Sequence, residues 1–200
     1  MEITPEMVKR LREMSGAGMM DCKRALTEAE GDLTRAQEIL RTKGLAAAKK
    51  RADRVARQGV VDAYIHMKGT LGVLVEVNCE TDFVANTDDF RALARDLAMH
   101  VAAADPRWIT REEVPDDVVA GERKVFAEQA REQGKPDDIV PKIVEGKLEA
   151  FYKDNCLLEQ AFVKDDSRAV GDLVAETSAK VGEKIEVRRF ARFRLGEETT

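Results

Sequence analysis

The chain has 200 residues, of which 44% are hydrophobic and 36% charged, with a formal net charge of −5. That supplies a real core for one or two domains, while no apolar run approaches the ~20 residues of a membrane-spanning helix. Three cysteines at long, irregular spacing and only two histidines exclude a disulfide framework and argue against a metal centre, so buried free thiols are expected.

The opening MEITPEMVKR is acidic and mixed rather than basic and then apolar, so a cytoplasmic location is expected. Residues 4–43 read as three short helices. Thr4 suits an N-cap and Pro5 the first helical position, followed by Met7, Val8, Leu11 and Met14 at helical spacing. SGAG breaks that helix. A second runs from about Met19 to Ala29 and buries Ala25, Leu26 and Ala29. Gly31 ends it and Asp32 caps a third, which presents Leu33, Ala36, Ile39 and Leu40 and is expected to stop at Gly44. About 40 residues make only a marginal core, so this is a small module tethered to a larger body.

Residues 1–58 carry 13 basic and 9 acidic side chains, and the remaining 142 carry 20 and 29. The basic excess lies in KGLAAAKKRADRVAR. Without interleaved aromatics, that stretch reads as a solvated linker helix over 45–57 rather than a nucleic-acid footprint.

From Gly59 the period changes to two. Val61, Ala63, Ile65 and Met67 alternate with polar residues, KGT turns the chain, and Leu71, Val73, Val75 and Val77 continue the alternation. The pattern predicts an antiparallel hairpin with one buried face. ETDFVAN follows, and Thr87 then caps a helix whose stripe is Phe90, Leu93, Leu97 and Val101. RWIT suggests a short edge strand, 115–134 and 136–156 two charged helices, and LLEQAFVKDD an extended or irregular connector. A helix from about Ala169 to Val181 precedes a terminal strand with Ile185, Val187, Ala191, Phe193 and Leu195 on one side. The class is α+β.

Catalytic chemistry finds no foothold. SGAGMMDCKRAL places two glycines before a helix, but it lacks the G-x-x-x-x-G-K-[ST] spacing that wraps a phosphate. The bland reading is a tight helix–helix turn, with Met19 and Met20 equally suited to the core or to adaptable partner contacts. No Ser-His-Asp or Cys-His set stands at an informative spacing, so no enzyme is expected and no cofactor is called for. Within ETDFVAN, Phe83 is the odd residue, because turns favour Gly, Asn, Asp or Ser. The ring either plugs this protein's own core or is offered to something else.

SGAGMMDCKRALTEAEGD at 15–32 and EVNCETDFVANTDDF at 76–90 together resemble the elongation factor Ts family, the bacterial guanine-nucleotide exchange factors of the GTPase elongation factor Tu. The match runs from EITPEMVKRLRE to the terminal VGEKIEVRRFARFRLGE. Ser15 stands where Thr is commoner in the family. The chain looks like the short form, without the second half of the core or the coiled-coil insertion of long members.

The resemblance implies a ubiquitin-associated-type three-helix module over 1–45 that docks on the GTPase, a helical linker over 46–58, and an α+β core over 59–200. By position, Arg12, Met19 and Met20 match the docking residues. Asp82 and Phe83, flanked by Thr81 and Val84, match a pair that inserts beside the partner's magnesium site. For Asp82 itself, capping the turn and repelling the phosphate side both stand as readings. Short members are expected to assemble as two factors with two GTPases. No metal, direct nucleic-acid contact or membrane contact is implied.

Overall fold

A computed structural model describes residues 3–197, the side chain of Lys49 apart. In chain order, α1 (Pro5–Ser15), α2 (Met19–Glu28) and α3 (Leu33–Lys50) are followed by β1 (Gln58–His66) and β2 (Leu71–Cys79). Then come α4 (Asp82–Ala85), α5 (Asp88–Ala104), α6 (Asp116–Glu132) and α7 (Val140–Asn155). The hairpin strands β3 (Ala161–Phe162) and β4 (Asp165–Ala169), α8 (Val170–Val181) and β5 (Ile185–Arg194) complete it. The class is α+β, with a three-stranded sheet in the order β1-β2-β5. Leu195 donates its N–H to Thr70 at one end of β2, and Lys184 reaches Glu80 at the other, so β5 runs antiparallel to β2. The expected ends of the first and last segments, residues 1–2 and 198–200, lie outside the described residues.

The fold divides into two compact units, each recruiting three stretches of chain. One takes in the chain up to Asp62, Val75–Arg95 and Asp172–Arg188; the other takes in Ala63–Leu74, Asp96–Gly171 and the chain from Arg189.

Within the first unit, α1–α3 enclose a small core of Val8, Leu11, Cys22, Ala25, Leu26, Ala29 and Ala36. Thr4 caps α1 through Met7 N–H, Pro5 starts it, and Asp32 Oδ1 accepts from Arg35 N–H to start α3, all as the sequence predicts. Met14 lies outside this core and is exposed. The expected stop at Gly44 fails: α3 continues to Lys50, and the expected linker helix is helical only that far, because residues 51–57 form turns and irregular backbone before β1. A glycine inside a helix costs only about 1 kcal/mol, which the following Ala run tolerates. Its purpose is clearance, since a β-carbon at 44 would lie 3.3 Å from Ala179 Cβ of α8. Arg41 and Asp172 extend the same contact with α8, 4.0 Å apart.

β2 buries Leu71, Val73, Val75, Val77 and Cys79 as predicted. β1 is inverted relative to expectation. Val61, Ala63, Ile65 and Met67 are exposed, and Val60, Asp62, Tyr64 and His66 are the half-buried set. Period-two reading favoured the odd set because Asp62 and His66 are polar. Tyr64 and His66, however, satisfy each other by a 2.9 Å hydrogen bond between the phenol and Nδ1, with their rings stacked. Gly59 lets β1 press against β2, where a β-carbon would sit 2.1 Å from Val77 O.

β5 is half as expected: Ile185 and Val187 are buried, but Ala191, Phe193 and Leu195 are exposed. In the second unit, Ile65, Leu74, Phe193 and Leu195 therefore line a shallow apolar groove over Gly72.

α5 buries its predicted stripe of Phe90, Leu93, Leu97 and Val101, with Thr87 as its cap. α6 and α7 pack around Ala130, Val140, Val144 and Leu148. α7 starts at Val140, later than expected, because Pro136–Ile139 form a turn. RWIT is no strand; only Trp108 bridges, parallel, to Cys156. The expected connector LLEQAFVKDD instead holds β3 and opens β4, paired antiparallel. His100 is fully buried beside it, its Nδ1 accepting from Val163 N–H at 3.2 Å and its Nε2–H donating to Gln160 Oε1 at 2.9 Å. That pairing fixes the neutral ring, and burial holds its pKa below the ordinary histidine value.

Candidate protein-docking site

The turn after β2 is built so that one ring faces outward. Thr81 has extended backbone and caps the single-turn helix α4, its Oγ1 accepting from Val84 N–H at 3.4 Å. Asp82 is therefore not the cap, which removes one of its two sequence readings. Its carboxylate is exposed, and only its backbone carbonyl is engaged, accepting from Asn86 Nδ2 at 2.9 Å. Val84 and Ala85 turn inward and are buried. Phe83 points away with 82% of its surface exposed. Burying such a ring is worth about 2–3 kcal/mol, so leaving it in water is a cost that this unit's own core does not recover.

Four residues cannot hold a helix alone, because nucleation is unfavourable and α4 ends before propagation begins. Its neighbours supply the order. At the far end, Thr87 Oγ1 donates to Val84 O at 2.8 Å and Arg91 donates to Asn86 Oδ1 at 2.9 Å. At the near end stands Glu183, just beyond α8. Its Oε2 accepts from Glu80 N–H at 3.1 Å and Thr81 N–H at 3.0 Å, while Oε1 accepts from the Thr81 hydroxyl at 2.6 Å.

Glu80 reciprocates: its Oε1 accepts from Lys184 N–H at 2.6 Å and from Arg54 at 3.2 Å. The Lys184 N–H first, and then Arg54, hold the Glu80 carboxyl below its ordinary pKa. The Cys79 thiol donates to Thr81 O at 3.1 Å. Burial foremost, with the Glu183 charge, pushes its pKa up to about 11, so it is an inert structural thiol. Lys180 pairs with Asp89 at the start of α5, 2.6 Å away.

The other residues singled out from sequence lie in the helical module. Arg12 is exposed on α1, and Met19 and Met20 are exposed at the start of α2, Met20 at 65%. Core packing, one of the two sequence readings of this methionine pair, is thereby ruled out. The basic stretch also finds a partial use, because Arg54 is spent on Glu80. Glu80, Glu183 and Lys184 were not foreseen. Glu183 lies 102 residues from Thr81, so no local spacing reports the contact.

Among the described residues, no group of three His, Cys, Asp or Glu side chains is placed to hold a metal ion, and no helix is long and apolar enough to cross a membrane. All three cysteines are free and buried.

Residues 36–197 match the family model described as Elongation factor TS. Proteins named Elongation factor Ts from Anaeromyxobacter dehalogenans and Carboxydothermus hydrogenoformans are each 60% identical to it, covering 98% of this chain and 90% of theirs. One from Fervidobacterium nodosum is 55% identical over 98% of this chain and its own full length. With a family model over most of its length and such identity from end to end, this chain belongs to the elongation factor Ts family.

Proposed function

We propose that this chain is a guanine-nucleotide exchange factor for the translational GTPase elongation factor Tu, acting in the cytoplasm without catalytic residues or a cofactor of its own. Family membership supports the exchange role. The observation that carries the mechanism is Phe83, held outward on a capped turn. In a P-loop GTPase, Mg²⁺ bridges phosphate, a Ser/Thr hydroxyl and waters in an octahedral shell that tolerates little distortion. A ring wedged into a neighbouring pocket moves the loop and helix that organise that shell. The diphosphate charge is then poorly neutralised and GDP leaves faster. Asp82, exposed and free of a capping duty, is placed to repel the phosphate side.

The energy comes from tighter binding to the nucleotide-free GTPase. By linkage, each tenfold loss of GDP affinity needs about 1.4 kcal/mol of such preference. The module of residues 1–45 supplies separate docking through Arg12, Met19 and Met20. The test is stopped-flow release of a fluorescent GDP from elongation factor Tu. Phe83→Ala is expected to keep the complex and slow release, and unchanged release sinks the wedge.

A two-plus-two assembly with the GTPase fits a second observation. Ile65, Leu74, Phe193 and Leu195 lie on one apolar sheet face, and β5 is an edge strand. A second copy of the same face would cover it with closed two-fold symmetry.

A further inference from the structure

We infer that Glu183 is a positioning residue for Phe83, acting through Thr81, so that exchange depends on a carboxylate engaged with the backbone and hydroxyl ahead of the ring. The inference rests on the wedge reading above.

The argument is one of hydrogen-bond polarity. A threonine hydroxyl has one proton and two lone pairs. In this turn the proton goes to Glu183 Oε1 at 2.6 Å. That turns a lone pair toward Val84 N–H, the third-position amide of α4 that the cap satisfies. Without the carboxylate the hydroxyl rotates freely, and the cap is made only part of the time. Glu183 also binds two successive N–H groups, of Glu80 and Thr81, which fixes the backbone entering the helix. Such bonds to an ionised acceptor are about twice as strong as neutral ones.

Glu183 is itself immobilised. Gly182 in left-handed conformation ends α8, and the Ser178 hydroxyl, buried, donates to Glu183 O at 2.5 Å. Lys184 N–H on Glu80 closes the arrangement from the other direction. Three of the hydrogen bonds that order the near end of α4 thus converge on one side chain from the opposite end of the sequence. Phe83 has no such support of its own. Loosening the turn leaves the ring present but unordered, so the cost of ordering it falls on the step in which it is inserted.

The experiment uses the full chain with elongation factor Tu and fluorescent GDP. Glu183→Ala is expected to lower the maximal release rate about tenfold while the half-saturating factor concentration changes less than about twofold, the signature of an interaction used after docking. Combined with Phe83→Ala, it should add nothing, because it acts through the ring. In the free protein, hydrogen exchange of the Val84 amide should quicken at least about tenfold. Glu183→Gln, which keeps an oxygen for the two amides but sets an N–H donor against the Thr81 hydroxyl, should recover only part of the rate, and full recovery overturns the hydroxyl relay. A Val84 amide that exchanges as before overturns the positioning role, as does an additive double variant. A Phe83→Ala variant with normal release overturns the wedge reading itself, while the Val84 amide still reports on the turn. Should Glu183→Ala fail to fold, Thr81→Val removes only the hydroxyl relay and carries the same readouts.

Discussion

Phe83 and Phe193 are the two phenylalanines left exposed among the described residues, at 82% and 68%, and they are exposed in different ways. Phe83 stands alone on a four-residue helix whose neighbours Val84 and Ala85 face inward, held by caps at both ends. Phe193 lies on a flat edge strand among Ile65, Leu74 and Leu195. A solitary rigid ring suits insertion into a pocket, where position matters more than area. A ring within an apolar face suits broad contact, where area matters and no single atom is critical.

The largest expected effect comes from breaking the first kind. Phe83→Ala should slow GDP release from the saturated complex about a hundredfold, or about 2.7 kcal/mol, with little loss of affinity. Next, Arg12→Ala, Met19→Ala and Met20→Ala together should weaken association about tenfold in titration calorimetry, while maximal release changes little. Substitution is a better test than deleting residues 1–45, because that cut would fall inside α3. If the triple variant instead slows release at saturation, the division between docking and insertion fails.

On the second kind of surface, Phe193→Glu with Leu195→Glu should shift sedimentation toward the monomer while release per factor falls less than about threefold. The smallest effect concerns neither ring. His100 is held neutral in the folded protein, with its pKa below the ordinary value, so below about pH 6.5 the unfolded chain binds the extra proton. Stability should therefore decline as pH falls through that range, read as a lower urea midpoint at pH 5.5 than at 7.5. His100→Gln should flatten this dependence at the expense of stability at neutral pH, since Val163 N–H loses its acceptor.

The helices of the N-terminal module were readable because their signals are local. Thr4, Pro5 and Asp32 occupy the capping positions their chemistry favours. The sheet was readable in position but not in facing. Val60 and Val61 are equally apolar, so alternation in β1 could not show which side is buried, and Tyr64 with His66 masked that side as polar. β3 and β4 escaped notice because two- and five-residue strands carry no periodicity. At the candidate site, the exposure of Phe83 was foreseen as one of two options, from its misfit in a turn. The flanking strand end and the Thr87 cap are legible too, but the long-range support is not. Glu183 and Lys184 read as ordinary surface charges, and only a contact spanning the chain makes them part of the turn.

The uninterrupted course of α3 through Gly44 has a consequence for avidity. A flexible tether between the docking residues and the ring would dilute the second contact after the first had formed, by a factor set by tether length. Here the helical module and the turn belong to one compact unit, and the helix passes the glycine and ends at Lys50, six residues further on. On the docking role proposed for Arg12, Met19 and Met20, sharing one compact unit with Phe83 raises the effective concentration at which the ring is offered to the GTPase. Each contact can then be individually weak. That suits the proposed exchange role, in which the partner is released after every round.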